Sequence, residues 1–211
     1  MTGQPIVVFG AGGHGKVVAD AARSAGFVLA AFVDDAPARA GTTIWGVPVV
    51  SWAAFQADRG RWEDAAFIVG IGDNGARQDV QGRVESAGRE VVAVVHARAT
   101  VAPTARIGPG TVVMAGAVVN PDAAVGRGCI VNTGAVVEHD CALGEFVHLS
   151  PNAALGGGVW IGDRAHLGLG AVVLPAVRVG TDVKVGAGAV VIRDVPDALT
   201  VIGVQIGRAH V

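Results

Sequence analysis

Tyrosine is absent from this chain of 211 residues, cysteine occurs twice, and six Phe and four Trp complete its aromatic and sulfhydryl content. Any interior built from it must be mostly aliphatic. Lys and Arg number 16 against 18 Asp and Glu, a net charge of −2 with no basic cluster. A nucleic-acid partner is therefore not expected. Long apolar runs are lacking too. Residues 107–121 carry no charge but include Gly108, Pro109, Gly110, Asn120 and Pro121, too short and too broken for a membrane-spanning helix. The opening MTGQPIVVFGAGG has no basic stretch followed by a long apolar segment, so no export signal is read there. Cys129 and Cys141 are then expected to be reduced and buried, in a cytoplasmic protein. A hydrophobic content of 51% excludes disorder.

What is present is glycine, at 32 residues, and valine as the dominant apolar residue. Read at every sixth position, Val101, Ile107, Val113, Val119, Val125, Val131, Val137, Leu143, Leu149, Leu155, Ile161, Leu167, Val173, Val179, Val185 and Val191 run sixteen deep without a slip. Four residues after each stands a small or β-branched one, from Ala105 and Thr111 through Cys129 and Cys141 to Val195. A helical face repeats every 3.6 residues and a strand every 2, and neither gives six. Six residues make a short strand plus a turn, one side of a triangular coil, and three such sides close a coil. The spacing predicts a left-handed parallel β-helix over residues 101–195, with the aliphatic column pointing inward. The small residues are expected at tight corners. The glycines that follow aliphatic residues (Gly108, Gly126, Gly144, Gly162, Gly186) are expected in turns with φ > 0. One coil cannot bury its own face, so the coils must stack to be stable.

Residues 5–95 follow another rhythm. A buried strand over 6–9 leads into Gly10-Ala11-Gly12-Gly13-His14-Gly15, a helix over about 16–25 follows, and a second strand over 27–33 ends at Asp34-Asp35. Glycines between strand and helix, with an acidic residue some twenty positions on, form a phosphate-binding fingerprint. A further strand at 66–69 enters a second glycine loop, Gly70-Ile71-Gly72-Asp73-Asn74, before a helix over 78–87 and a strand over 90–95. This is a small Rossmann-like α/β domain of three or four parallel strands. A dinucleotide site needs two such halves, so a single nucleotide or nucleotide-linked ligand is expected. The domains are drawn at 1–95 and 96–211.

Both halves in this order, FGAGGHGKVV with its Asp34-Asp35 and then VVHARATVAPTARIG leading into the coils, resemble a known family. It is the bacterial sugar acyltransferases of the sialic-acid O-acetyltransferase type, which include nucleotide-sugar N-acetyltransferases of the perosamine and bacillosamine pathways. The most specific stretch is residues 132–141, NTGAVVEHDC, continuing through His148 to Pro151. The resemblance implies a homotrimer with acetyl-CoA, its co-substrate, in the groove between adjacent β-helices. It implies His139 as catalytic base, with Asp140 orienting it. His148, Gly157, Leu169 and Ala187 would contact acetyl-CoA, Gly157 through a backbone N–H near the reacting carbonyl. Gly12, Gly13, His14, Asp34, Asp35 and Gly72 would hold the nucleotide of the sugar. At residues 203–208, GVQIGR, the chain departs from the family's usual Gly-x-Pro-Ala-Lys close.

The implied reaction is acetyl transfer to the 4-amino group of a nucleotide-linked 4-amino-4,6-dideoxy sugar, of GDP-perosamine or UDP-linked type. O-acetylation of a sialic acid or another sugar hydroxyl is the alternative. By hexad position, His139 is third in its hexad, on a prism side outside the aliphatic column. His148 and His166, eighteen residues apart, should stack on one face, and His139, nine residues before His148, belongs to another. A zinc hydrolyase built on a β-helix trimer would use three converging histidines, which this spacing does not supply. A scaffold without catalysis leaves the two glycine loops and the His139-Asp140 pair without a purpose.

Overall fold

The computed structural model describes residues 3–204 and divides into two units, Met1–Ala97 and Arg98–Val211. The segment from Gln205 onward, which holds most of the divergent tail, lies outside the described residues.

In the first unit, strand β1 (Pro5–Phe9) runs parallel to β2 (Val28–Val33) on one side. A short β3 (Thr43–Ile44) turns back antiparallel into β4 (Val47–Val50), which pairs parallel with β2. Strand β5 (Ala66–Val69) lies parallel to the other side of β1, giving the order β3-β4-β2-β1-β5. Helix α1 (Gly13–Ser24) follows β1, α2 (Trp52–Ala57) follows β4, and α3 (Asn74–Ser86) follows β5. Alternate residues of the strands (Val7, Phe9, Ala31, Val33, Phe67 and Val69) pack on Phe55, Trp62 and Val84. The rings of Trp52 and Phe55 stack at 5.5 Å, and Phe67 meets Phe55 edge-on at 5.2 Å.

Both long helices start earlier than the sequence pattern suggested. Asp73 caps α3 by accepting the Ala76 N–H at 2.9 Å, and α1 begins inside the glycine loop itself. That early start depends on Gly15. A Cβ there would run into the carbonyl of Gly10, and one on Gly70 would lie 2.7 Å from Gly15 Cα. Helix α1 is thus pressed against the ends of β1 and β5 at the point where two glycine loops meet.

The second unit is a left-handed β-helix of two-residue strands. On its first face Val118 and Val119 pair with Val136 and Val137, and the same register of eighteen carries on to Val190 and Val191. The second face includes Ala142–Leu143 and Trp160–Ile161, and the third Ile130–Val131, His148–Leu149 and His166–Leu167. Backbone ladders join successive coils, as where Val118 N–H donates to Ala135 O at 2.9 Å and Asn120 N–H to Val137 O at 2.9 Å. From Val113 to Val191 the second residue of every strand is buried. So are Thr111, Ala117, Ala123, Cys129, Ala135 and Cys141. Phe146 and Trp160 are the only aromatic residues after residue 97, and neither occupies an inward column.

Two expectations about this repeat need correction. The small residues do not form the corners; they follow each corner and point inward, where the narrow prism limits their size. Nor do the glycines after the aliphatic residues adopt φ > 0. Gly108 is needed because a Cβ would sit 2.7 Å from Arg127 N and Gly126 C of the next coil. Positive φ falls two residues later, and there Gly110, Gly128, Phe146, Arg164 and Asp182 succeed one another up a single corner. Close stacking selects glycine at one position, while the left-handed corner tolerates other residues at the other.

Candidate functional site

The loops after β1, β2 and β5 open onto a cleft of about 470 Å³ in the first unit. Gly12, Gly13, His14, Asp34, Asp35 and Gly72 all line it, together with Phe9, Ile71, Arg39 and Arg83. Asp34 accepts the Ala11 N–H at 2.8 Å and the Ala36 N–H at 2.9 Å, and pairs with Arg39 Nη1 at 2.9 Å. Burial alone would raise its pKa, but the two N–H bonds and Arg39 outweigh it and hold the carboxyl below its ordinary value. Asp35 accepts the Trp52 N–H at 2.9 Å and pairs with Arg83 Nη2 at 2.7 Å. Burial and the charge of Asp34 oppose ionisation there, yet Trp52 and Arg83 again hold the pKa down. The Arg83 guanidinium also lies 4.7 Å from the Phe9 ring centre and 5.1 Å from that of Trp52.

Under the second glycine loop, Arg77 is fully buried and donates to Ile71 O and Gly72 O at 3.1 Å each and to Asn74 Oδ1 at 2.8 Å. Burial, reinforced by that guanidinium, lowers the pKa of His14 to about 4. Its imidazole is therefore neutral at physiological pH.

In the β-helix, His139 and Asp140 form the corner turn between the first and second faces, not a flat side. Asp140 has φ 60°, which bends the chain so that its own side chain meets its neighbour's: Asp140 Oδ2 lies 2.8 Å from His139 Nδ1. An ionised carboxylate only accepts, so Nδ1 carries the proton and Nε2 keeps its lone pair. The hydrogen bond to Asp140 raises the His139 pKa above 6.5, with further help from the charges of Asp140 and Glu138. Gly157 lies one coil further along, against this ring. A Cβ on it would be 2.6 Å from His139 Cε1 and Nε2. Gly156 N–H donates to Val173 O and Gly158 N–H to His139 O, whereas among the described residues the Gly157 N–H has no acceptor.

His148 is on the third face, stacked on His166 with ring centres 4.6 Å apart and planes within 1°. The Thr133 N–H donates to Asn132 Oδ1 at 2.9 Å, which turns Asn132 Nδ2 toward His148 Nε2 at 3.2 Å. Leu169 and Ala187 occupy successive coils at the corner between the third and first faces, both exposed. One prism therefore separates the predicted residues into two groups: His139, Asp140 and Gly157 at one corner, and His148, Leu169 and Ala187 around another. Among the described residues no group of three or more His, Cys, Asp or Glu is placed to hold a metal ion, and no helix is long and apolar enough to cross a membrane.

Residues 5–84 match the family described as the PglD N-terminal domain, and residues 104–139 match the bacterial transferase hexapeptide family of six repeats. A solved structure of perosamine N-acetyltransferase from Caulobacter crescentus, a histidine-to-asparagine mutant in complex with CoA and GDP-perosamine, is 45% identical. Its TM-score is 0.89, with 94% of this chain and 93% of that one covered. This chain belongs to the bacterial sugar acyltransferases. The acetyltransferase domain of PglB from Neisseria gonorrhoeae is 39% identical, with a TM-score of 0.88 over 95% of this chain and 97% of that one. WeeI from Acinetobacter baumannii is 29% identical, with a TM-score of 0.79 over 94% and 97%. Comparison with the curated proteins gives no match.

Sequence reasoning on this sugar acyltransferase missed Arg39, Arg83 and Arg77. Arg83 meets Asp35 across 48 residues of chain, a pairing that no local spacing announces. Arg39, five residues past Asp34, offered a weak local signal. Phe9 immediately precedes the first glycine loop and Ile71 lies within the second, so both carried a local signal.

Proposed function

We propose that this protein is an acetyl-CoA-dependent N-acetyltransferase acting on the 4-amino group of a nucleotide-linked 4-amino-4,6-dideoxy sugar. The observation that carries this is the His139-Asp140 pair seated over Gly157, in a chain 45% identical to a perosamine N-acetyltransferase solved with CoA and GDP-perosamine. The sugar amine attacks the thioester carbon of acetyl-CoA. His139 Nε2 accepts the proton the nitrogen loses as the C–N bond forms, general-base help worth about 10²–10⁴-fold. Asp140 fixes the tautomer and favours the imidazolium. The unused Gly157 N–H is suited to the oxyanion, because a fixed donor beside the developing charge needs no reorganisation. The proton held by His139 then passes to the departing thiolate, and the products are the amide and free CoA.

His148 and the backbone at Leu169 and Ala187 would line the acetyl-CoA arm. Because these residues and His139 belong to different corners of one prism, a site containing both needs a neighbouring β-helix, and the reading includes a homotrimer. Gly12, Gly13, His14, Asp34, Asp35 and Gly72 would hold the nucleotide in the cleft of the first unit. The cytoplasm, where acetyl-CoA and nucleotide sugars are found, is the compartment this chemistry requires. The test is thiol release from acetyl-CoA against GDP- and UDP-linked 4-amino sugars and free sialic acid. Turnover on one nucleotide-linked amine is expected. Activity on sialic acid alone would move the protein to hydroxyl acetylation.

A further inference from the structure

We propose that Arg39 clamps the diphosphate of the substrate and that Asp34 is the positioning residue that aims it; this rests on the nucleotide-linked acceptor proposed above. The first indication is where the guanidinium lies. A Cβ on Gly12 would be 3.2, 3.7 and 3.8 Å from Nη1, Nη2 and Cζ of Arg39, so the bare face of this glycine is the seat of the guanidinium. That seat adjoins the first turn of α1, which has no side-chain cap and no acidic residue.

The second indication is the supply of donors. A guanidinium has five N–H groups, and among the described residues Asp34 is the one acceptor paired with Arg39, through a single bond from Nη1. Arg83, the other cation lining the cleft, likewise makes a single bond, to Asp35, and lies over the rings of Phe9 and Trp52. Both guanidiniums have donors to spare in the fork geometry that suits phosphate oxygens, and Arg39 is the one seated against the glycine loop that leads into α1. The charge balance agrees. The cleft is lined by two carboxylates, Asp34 and Asp35, and two guanidiniums, Arg39 and Arg83, beside a neutral His14. Without Arg39, an incoming diphosphate would face the Asp34 carboxylate with nothing in between.

The test is calorimetric titration of the full-length protein with GDP and UDP, their monophosphates and the free nucleosides, in wild type, Arg39→Ala, Arg39→Lys and Asp34→Asn/Arg39→Ala. For the diphosphate that the wild type binds, Arg39→Ala should weaken affinity about tenfold to a hundredfold, the range for a charge-assisted bond. The nucleoside should be unaffected, Arg39→Lys should retain part of the affinity, and the double variant should recover part of it. In turnover, KM for the nucleotide sugar should rise while kcat and KM for acetyl-CoA hold. Equal loss of nucleoside and diphosphate affinity, or unchanged diphosphate affinity, would overturn the role of Arg39 and leave the acceptor class standing. A wild type that binds neither GDP nor UDP would remove the nucleotide-linked reading itself.

Discussion

His139 owes its chemistry to its immediate neighbour, and that makes its contribution separable by single substitutions. His139→Ala should lower kcat by about 10²–10⁴-fold while acetyl-CoA affinity, measured by titration, stays within a small factor. An unchanged kcat would end its role as base. Asp140→Asn replaces the carboxylate that raises the His139 pKa. The base of the pair is active only when deprotonated, so the acid limb of kcat/KM should move to lower pH, with a lower plateau. A limb that stays in place would show that Asp140 does not set the titration. At this scale the sequence was informative where residues are neighbours in the chain: the cleft glycines follow from the strand-glycine-helix pattern, and the His139-Asp140 pair was singled out by the family resemblance. It was silent on the arginines, because what singles out Arg83 is a carboxylate and two rings brought to it by separate strands and helices.

At the scale of the element, one hexad has two backbone demands that look alike in sequence and differ in cause. Gly162→Ala would put a methyl 2.5 Å from Thr181 N and 2.7 Å from Gly180 C. Both are backbone atoms that cannot swing aside. Thermal unfolding should report a loss of about 1–3 kcal/mol, as for overpacked interiors. Ala176→Gly, at φ 61° on an exposed corner, should be neutral or slightly stabilising. An unchanged stability in Gly162→Ala, with a marked gain in Ala176→Gly, would show that the corner, not the stacking, makes the demand. The six-residue period was plain because every inward column repeats it. The assignment of glycine to turns failed because composition does not distinguish a residue that must bend from one that must leave room. In the first unit, the β3–β4 hairpin and α2 went unread despite local signals: the Trp45-Gly46 turn and Ser51, whose hydroxyl caps Ala54 N at 3.1 Å.

At the scale of the whole molecule, the division of predicted residues between two corners leads to a test of assembly. Light scattering should give a mass near three times 21.1 kDa, and conditions that dissociate the assembly should abolish transfer while sparing nucleotide binding in the first unit. Full transfer by a monomer would require His139 and His148 to serve one site from a single prism. The register of eighteen carries a last consequence. Since all three faces share the same inward columns, losing six residues between His139 and His148 would leave every aliphatic side chain in a lawful place. Everything downstream would nevertheless rotate by a third of a revolution, carrying His148 from the third face to the second. Such a lesion is silent to the core and ruinous to the site, so the interior alone does not fix the length of this β-helix; the orientation of its surface does.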